Sequence, residues 1–123
     1  MVSDPPDKGA PVWQWSAQKT AAATKAGTVT VREVTEAALD RMDAVNPSLN
    51  AVVESLAEEA LVEADALDAS DAPKGPLHGV PVTIKIYVDQ SGHATSNGVT
   101  AFKDGIAPDD APVVRILKAA GAI

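Results

Sequence analysis

The chain reads as an α/β protein in which helices flank a sheet. Three observations predict this. Residues 80–88, Val-Pro-Val-Thr-Ile-Lys-Ile-Tyr-Val, form a nearly continuous β-branched run, the pattern of a strand buried on both faces. Apolar residues recur at three- and four-residue steps over residues 31–45 and again over 56–67, the spacing of amphipathic helices. The last residues, Ala119-Ala120-Gly121-Ala122-Ile123, read as a helix end, a glycine cap and the first residues of an apolar strand.

At 123 residues the chain is one domain or part of one. Lys and Arg number 10 against 17 Asp and Glu, a net charge of −7. With no basic cluster it has no stripe of cations for phosphates, so a nucleic-acid partner is not expected. No apolar run is long enough to span a bilayer and none resembles a signal-peptide core, which predicts a cytoplasmic protein without a membrane partner. The absence of cysteine excludes disulfides, thiolate metal sites and a cysteine nucleophile. Trp13, Trp15, Tyr87 and Phe102 are the whole aromatic set, so the core must be built from Val, Leu, Ile and Ala.

Taken in order, residues 1–15 read as a flexible tail, with Pro5, Pro6, Gly9 and Pro11 among them. Residues 16–26 are Ala-rich and end at Gly27, which predicts a short helix. Thr30 and Glu33 have capping-box spacing. The helix they start carries Val31, Val34, Ala38, Leu39, Met42 and Val45 on one face, and Pro47 should end it. Residues 49–53 are a short apolar, strand-like run. Ser55 and Glu58 repeat the capping-box spacing before a helix with Leu56, Ala60, Leu61, Ala64 and Leu67 along its stripe. Glu54, Glu58, Glu59, Glu63, Asp65 and Asp68 read as a solvated face rather than as paired catalytic carboxylates. Residues 71–79 form a Pro- and Gly-bearing loop. The 80–88 strand follows, then a polar loop over 90–98. Asp109 or Asp110 can cap a last helix that has Pro112 in its first turn.

Lys85 is the odd residue, a cation inside the most hydrophobic run. Alternation puts Val82, Ile84 and Ile86 on one face and Thr83, Lys85 and Tyr87 on the other. A lysine in a central strand must be paired, reach water or lose its proton. Desolvation favours the neutral amine, which serves as a general base. The alternative is a strand-end lysine that snorkels to solvent. His78 and His93 lie in the loops before and after the strand, without metal-ligand spacing. A Ser/His/Asp triad can be drawn with either histidine and Asp89, but no Gly-x-Ser-x-Gly elbow supports it. No phosphate-loop or dinucleotide glycine pattern occurs. The loop over residues 92–98 follows the Lys85 strand, where α/β sites often lie.

At residues 75–85, Gly-Pro-Leu-His-Gly-Val-Pro-Val-Thr-Ile-Lys, the sequence resembles the amidase signature family. Residues 35–53 are similar to that family's N-terminal helix, Asn-Pro turn and short strand, and residues 107–123 to the helix leading to its next strand. The blocks keep the family's order and cover nearly everything from Ser16 onward. The resemblance implies the N-terminal part of the amidase signature fold, a mixed sheet flanked by helices, incomplete in this chain. Residues 16–123 would be its N-terminal portion. It implies hydrolysis of the C–N bond of a small-molecule carboxamide by a Ser–cis-Ser–Lys triad, with no cofactor and no metal, in a full-length protein able to form a homodimer. Lys85 stands at the position of the triad's base. Ile86 and Tyr87 stand where many members have Asp and its neighbour, which blurs the subfamily. The family's serine-rich signature lies well beyond the lysine, and no Gly-Gly-Ser-Ser-Gly segment occurs here. The chain therefore reads as a truncated one that supplies only the lysine. Two other readings are the glutamine-hydrolysing component of a tRNA-dependent amidotransferase and a non-catalytic fragment or interaction module.

Overall fold

A computed structural model describes residues 9–123. The tail predicted over residues 1–15 lies partly outside them. Within the described part, Val12–Gln14 makes one 3-10 turn after Pro11. Trp15 Nε1 donates to the Ala10 carbonyl at 3.1 Å. The Trp13 ring lies 4.3 Å from the Arg41 guanidinium, a cation–π contact with the second helix.

Helix α1 spans Ala17–Ala26. The Ser16 side chain caps it, accepting from the Lys19 N–H at 3.1 Å, and Gly27 closes it in the left-handed region at φ 71°, the end that the sequence predicts. Thr20, Ala21 and Thr24 form its buried face. The Thr24 hydroxyl donates to the His78 carbonyl at 2.7 Å, joining α1 to the segment before residue 80.

Helix α2, Val31–Leu49, starts with the predicted capping box. The Thr30 N–H donates to Glu33 Oε2 at 2.8 Å and the Glu33 N–H to Thr30 Oγ1 at 3.0 Å. These bonds hold the Glu33 carboxyl below its ordinary pKa, led by the Thr30 backbone N–H. The helix does not stop before Pro47 but carries it inside, to Leu49. Proline in the last turn loses one ladder bond, and Asn46 secures the exit. Its Oδ1 accepts from the N–H groups of Ala51 and Val52, while its Nδ2 donates to the Val52 carbonyl. Asn50 adopts φ 49° as the left-handed cap. The strand-like run predicted at 49–53 is therefore a helix end and a turn.

Helix α3, Ala57–Asp68, has Leu56 at its N-cap and no side-chain cap, so the Ser55–Glu58 capping box does not form. It packs against α2, and Ala64 is fully buried. Its last residue reaches the start of α2, where Asp68 Oδ1 and Oδ2 accept from the Val31 and Arg32 N–H groups at 2.8 and 3.0 Å. An antiparallel helical hairpin results, with a carboxylate on the positive end of α2. Arg32 bridges Glu36 and Asp65 at 2.8 and 2.7 Å.

Helix α4, Pro112–Ala119, has Pro112 in its first turn, but its N-cap is Ala111 and no side chain caps it. Asp110 is turned instead to the Ser91 N–H and the Lys118 ammonium, at 2.8 and 2.9 Å. After α4, Gly121 turns the chain at φ 90°, as the sequence predicts.

The segment predicted as a two-sided strand is extended but forms no regular strand, and no strand occurs among the described residues. One register of a parallel ladder is present. The Ile123 N–H donates to the Val80 carbonyl at 2.9 Å and the Val82 N–H to the Ile123 carbonyl at 2.8 Å. Upstream, Leu77 and Gly79 donate to Ala120 and Gly121 at 2.9 and 2.8 Å. Thr83, Lys85 and Tyr87 are exposed and Ile84 and Ile86 are half-buried, but Val82, expected on the face of the two isoleucines, is exposed as well, so the predicted alternation holds only in part. Burial on both faces does not, because a parallel strand needs neighbours and this one meets only residue 123. The core sits between α1, the start of α2 and α4, where Ala21, Val31, Val34, Val80, Val114 and Ala122 are buried. No helix among the described residues is long and apolar enough to cross a membrane.

Gly79 has φ 72°, and a β-carbon there would lie 2.8 Å from Val31 Cγ2. Gly79→Ala should therefore destabilise the protein through both strain and crowding. Thr30→Ala should cost about 1 kcal/mol through loss of the cap. Urea unfolding of the two variants checks both, and wild-type stability in Gly79→Ala would refute the packing argument.

Candidate active site

The extended segment runs from Val80 to Lys85 and then turns, the Val88 N–H donating to the Lys85 carbonyl at 2.8 Å. Lys85 thus stands at the carboxyl end of the segment that carries the parallel register, the end at which open α/β folds place ligands. Its side chain is exposed, and Nζ lies 5.1 Å from the Tyr87 ring centroid. The turn after Lys85 brings the Tyr87 ring back beside it.

Lys85 lines a broad cleft of about 960 Å³ together with Met42, Leu56, Ile84, His93 and Leu117. The cleft is walled by α2, α3, α4 and the extended segment. Its lining is mainly apolar, with Lys85, Lys118, His93, Glu54, Glu59 and Glu63 as its charged or titratable groups.

Past Lys85, residues 89–111 fold back on themselves. The Gly92 N–H donates to the Ala107 carbonyl, the Ala107 N–H to the His93 carbonyl, and the Thr95 N–H to the Gly105 carbonyl, at 2.9, 2.9 and 3.2 Å. Ala94 and Ile106 form an isolated antiparallel bridge. Asp110 holds the base of this loop, and its carboxyl lies below the ordinary range because Lys118, and then the Ser91 N–H, bond its charged form.

The two histidines sit in contrasting surroundings. His78 is buried against α1, and burial, followed by the charge of Lys74, lowers its pKa. His93 lies between two carboxylates, Nδ1 at 3.0 Å from Glu54 Oε1 and Nε2 at 3.1 Å from Glu59 Oε2. The Glu54 hydrogen bond chiefly raises its pKa, with Glu59 adding and partial burial opposing. Neither histidine contacts Asp89, whose carboxylate accepts from the Thr95 hydroxyl, so the Ser/His/Asp drawing from sequence is not assembled. Glu54 and Glu59, read from sequence as solvated, prove to be partners of a residue 39 and 34 positions away. No local pattern marks such a pairing. Among the described residues no cluster of His, Cys, Asp and Glu is arranged to hold a metal ion.

Residues 33–123 match the amidase family model. The chain is 60% identical over 116 residues to an indoleacetamide hydrolase of Bradyrhizobium diazoefficiens, covering 92% of this chain and 22% of that protein. It is 40% identical over 115 residues to a glutamyl-tRNA(Gln) amidotransferase subunit of Oleidesulfovibrio alaskensis, covering 93% of this chain and 24% of that protein. Its fold superposes on the crystal structure of a bacterial aryl acylamidase of the amidase signature family with a TM-score of 0.86, at 27% identity over 93% of this chain and 25% of the other. The chain thus spans about a fifth to a quarter of the length of the relatives it matches. With a family match over most of its length and a shared fold, the chain belongs to the amidase signature family.

Proposed function

We propose that the protein acts as an amide hydrolase in which residues 16–123 form the N-terminal portion of the amidase domain and Lys85 is the general base of a Ser–cis-Ser–Lys triad. The observation that carries this reading is the place of Lys85, at the carboxyl end of the parallel-paired segment and on the wall of the cleft. The serines of the triad would come from sequence beyond residue 123. In that site the neutral amine accepts the proton of the bridging serine, which in turn accepts the proton of the nucleophilic serine as it attacks the amide carbon. Backbone N–H groups near the nucleophile stabilise the oxyanion. The proton is then returned to the leaving nitrogen, and water hydrolyses the acyl-enzyme.

The substrate class we favour is a small aryl or acyl carboxamide. The 60% identity to a protein named indoleacetamide hydrolase supports it. The second reading, the glutamine-hydrolysing component of an amidotransferase, has the 40% identity to an amidotransferase subunit in its favour. Ile86 and Tyr87, in place of the acidic residue common after the lysine, weigh against it.

The 123-residue chain by itself should hydrolyse no amide, because it holds no serine of the signature segment. In the protein that carries the complete amidase domain, Lys85→Ala should lower kcat for indoleacetamide by about 10²–10⁴-fold, the range for loss of a positioned general base. Lys85→Arg should be nearly as damaging, since a guanidinium stays protonated. Near-normal kcat in Lys85→Arg would show a fixed charge rather than a base. Hydrolysis of glutamine in place of indoleacetamide, dependent on a tRNA-binding partner, would favour the second reading.

A further inference from the structure

The imidazole of His93 is placed so that its contacts can be satisfied in only one protonation state. A neutral imidazole has one N–H donor and one acceptor nitrogen, whereas a carboxylate only accepts. His93 has a carboxylate oxygen on each ring nitrogen, at 3.0 and 3.1 Å. Both contacts are hydrogen bonds only when the ring carries both protons. Loss of one proton sets a nitrogen lone pair against a carboxylate and removes the positive charge that separates Glu54 from Glu59.

The three residues belong to different parts of the fold. Glu54 lies in the turn between α2 and α3, Glu59 in the first turn of α3, and His93 in the loop that follows Lys85. The His93 backbone is itself part of the loop's closure, its carbonyl accepting from the Ala107 N–H at 2.9 Å. The side chain of His93 is only 15% exposed, against 47% and 60% for Glu54 and Glu59. The other charged groups lining the same cleft are Glu63, Lys85 and Lys118, and Lys118 is paired with Asp110.

We infer that Glu54, His93 and Glu59 form a proton-dependent latch that holds the loop over residues 89–107 against the start of α3. The direction follows from linkage. The ring's pKa is raised in the folded protein above its ordinary value of 6.5. The latch's contribution is therefore fully present below that value and is lost as the pH rises through the folded-state pKa. Above it, the loop after Lys85 keeps its internal hydrogen bonds, those of the Thr95 and Ser91 hydroxyls among them, and the contacts of Asp110, without the tie to α3.

The test reads the ring and the loop directly and needs no catalytic activity, so it is independent of the role proposed for Lys85. In the protein with its histidines labelled, ring NMR should show His93, assigned by its loss in His93→Gln, titrating above 6.5. Glu54→Gln and Glu59→Gln should each lower that midpoint. Hydrogen exchange at the Thr95 and Ala107 amides, corrected for the intrinsic pH dependence, should rise roughly tenfold as the ring loses its proton. In His93→Gln that exchange should be fast and independent of pH. A ring midpoint at or below 6.5 would overturn the latch, as would corrected loop exchange that does not change with pH in the wild type. Because Glu→Gln preserves size and hydrogen-bonding reach, the two glutamine variants keep the test decisive should His93→Gln fail to fold.

Discussion

The backbone pairing between residues 77–82 and 120–123 organises this molecule. Four hydrogen bonds, from Leu77 and Gly79 to Ala120 and Gly121 and between Ile123 and its partners Val80 and Val82, join segments about forty residues apart. Close approach requires small residues. A β-carbon at Gly75 would fall onto the Ala120 carbonyl oxygen, and one at Gly121 would lie 3.0 Å from His78 Cα. The pairing places α4 beside the extended segment, so Val114 and Ala122 join Val80 in the core. It also aims the segment so that Lys85 arrives at the cleft. Thr24 attaches α1 to the same place through the His78 carbonyl.

Acidic residues supply much of the remaining connectivity, which explains how a chain of net charge −7 holds together. Asp68 accepts two N–H groups at the start of α2, Asp110 fixes the base of the loop after Lys85, and Glu54 and Glu59 hold His93. In each case a carboxylate meets an N–H donor or a cation instead of another carboxylate. Exposed pairs such as Arg32–Glu36 add little by themselves, because water and salt screen them. The carboxylates on backbone donors matter more, since helix starts and turns leave N–H groups that need an acceptor.

The cleft owes its character to the same construction. Its walls come from three helices and an extended segment that has one short backbone pairing, so its apolar side chains remain open to solvent. Val82 is exposed in this chain, although its sequence context is that of a sheet interior. A strand's burial is set by its neighbours rather than by its own composition. The β-branched run over residues 80–88 therefore lacks the burial its sequence implies.

Features decided by neighbours three or four residues apart are legible in the sequence. The Thr30–Glu33 capping box, the left-handed Gly27 and Gly121 and the apolar face of α2 belong to this group, because their geometry closes within one or two turns. The family resemblance around residues 75–85 rests on sequence as well, and it singles out Lys85 without reference to where the fold places that residue. Tertiary structure alone decided the rest. Asp68 meets the start of α2 only because α3 folds back. Asp110 serves Ser91 and Lys118 instead of capping α4, and the helix at Pro47 continues because Asn46 captures the chain beyond it. His93 finds Glu54 and Glu59 across more than thirty residues. No local spacing encodes these contacts, since they depend on where separate elements come to rest against one another, and that is settled by packing over the whole chain.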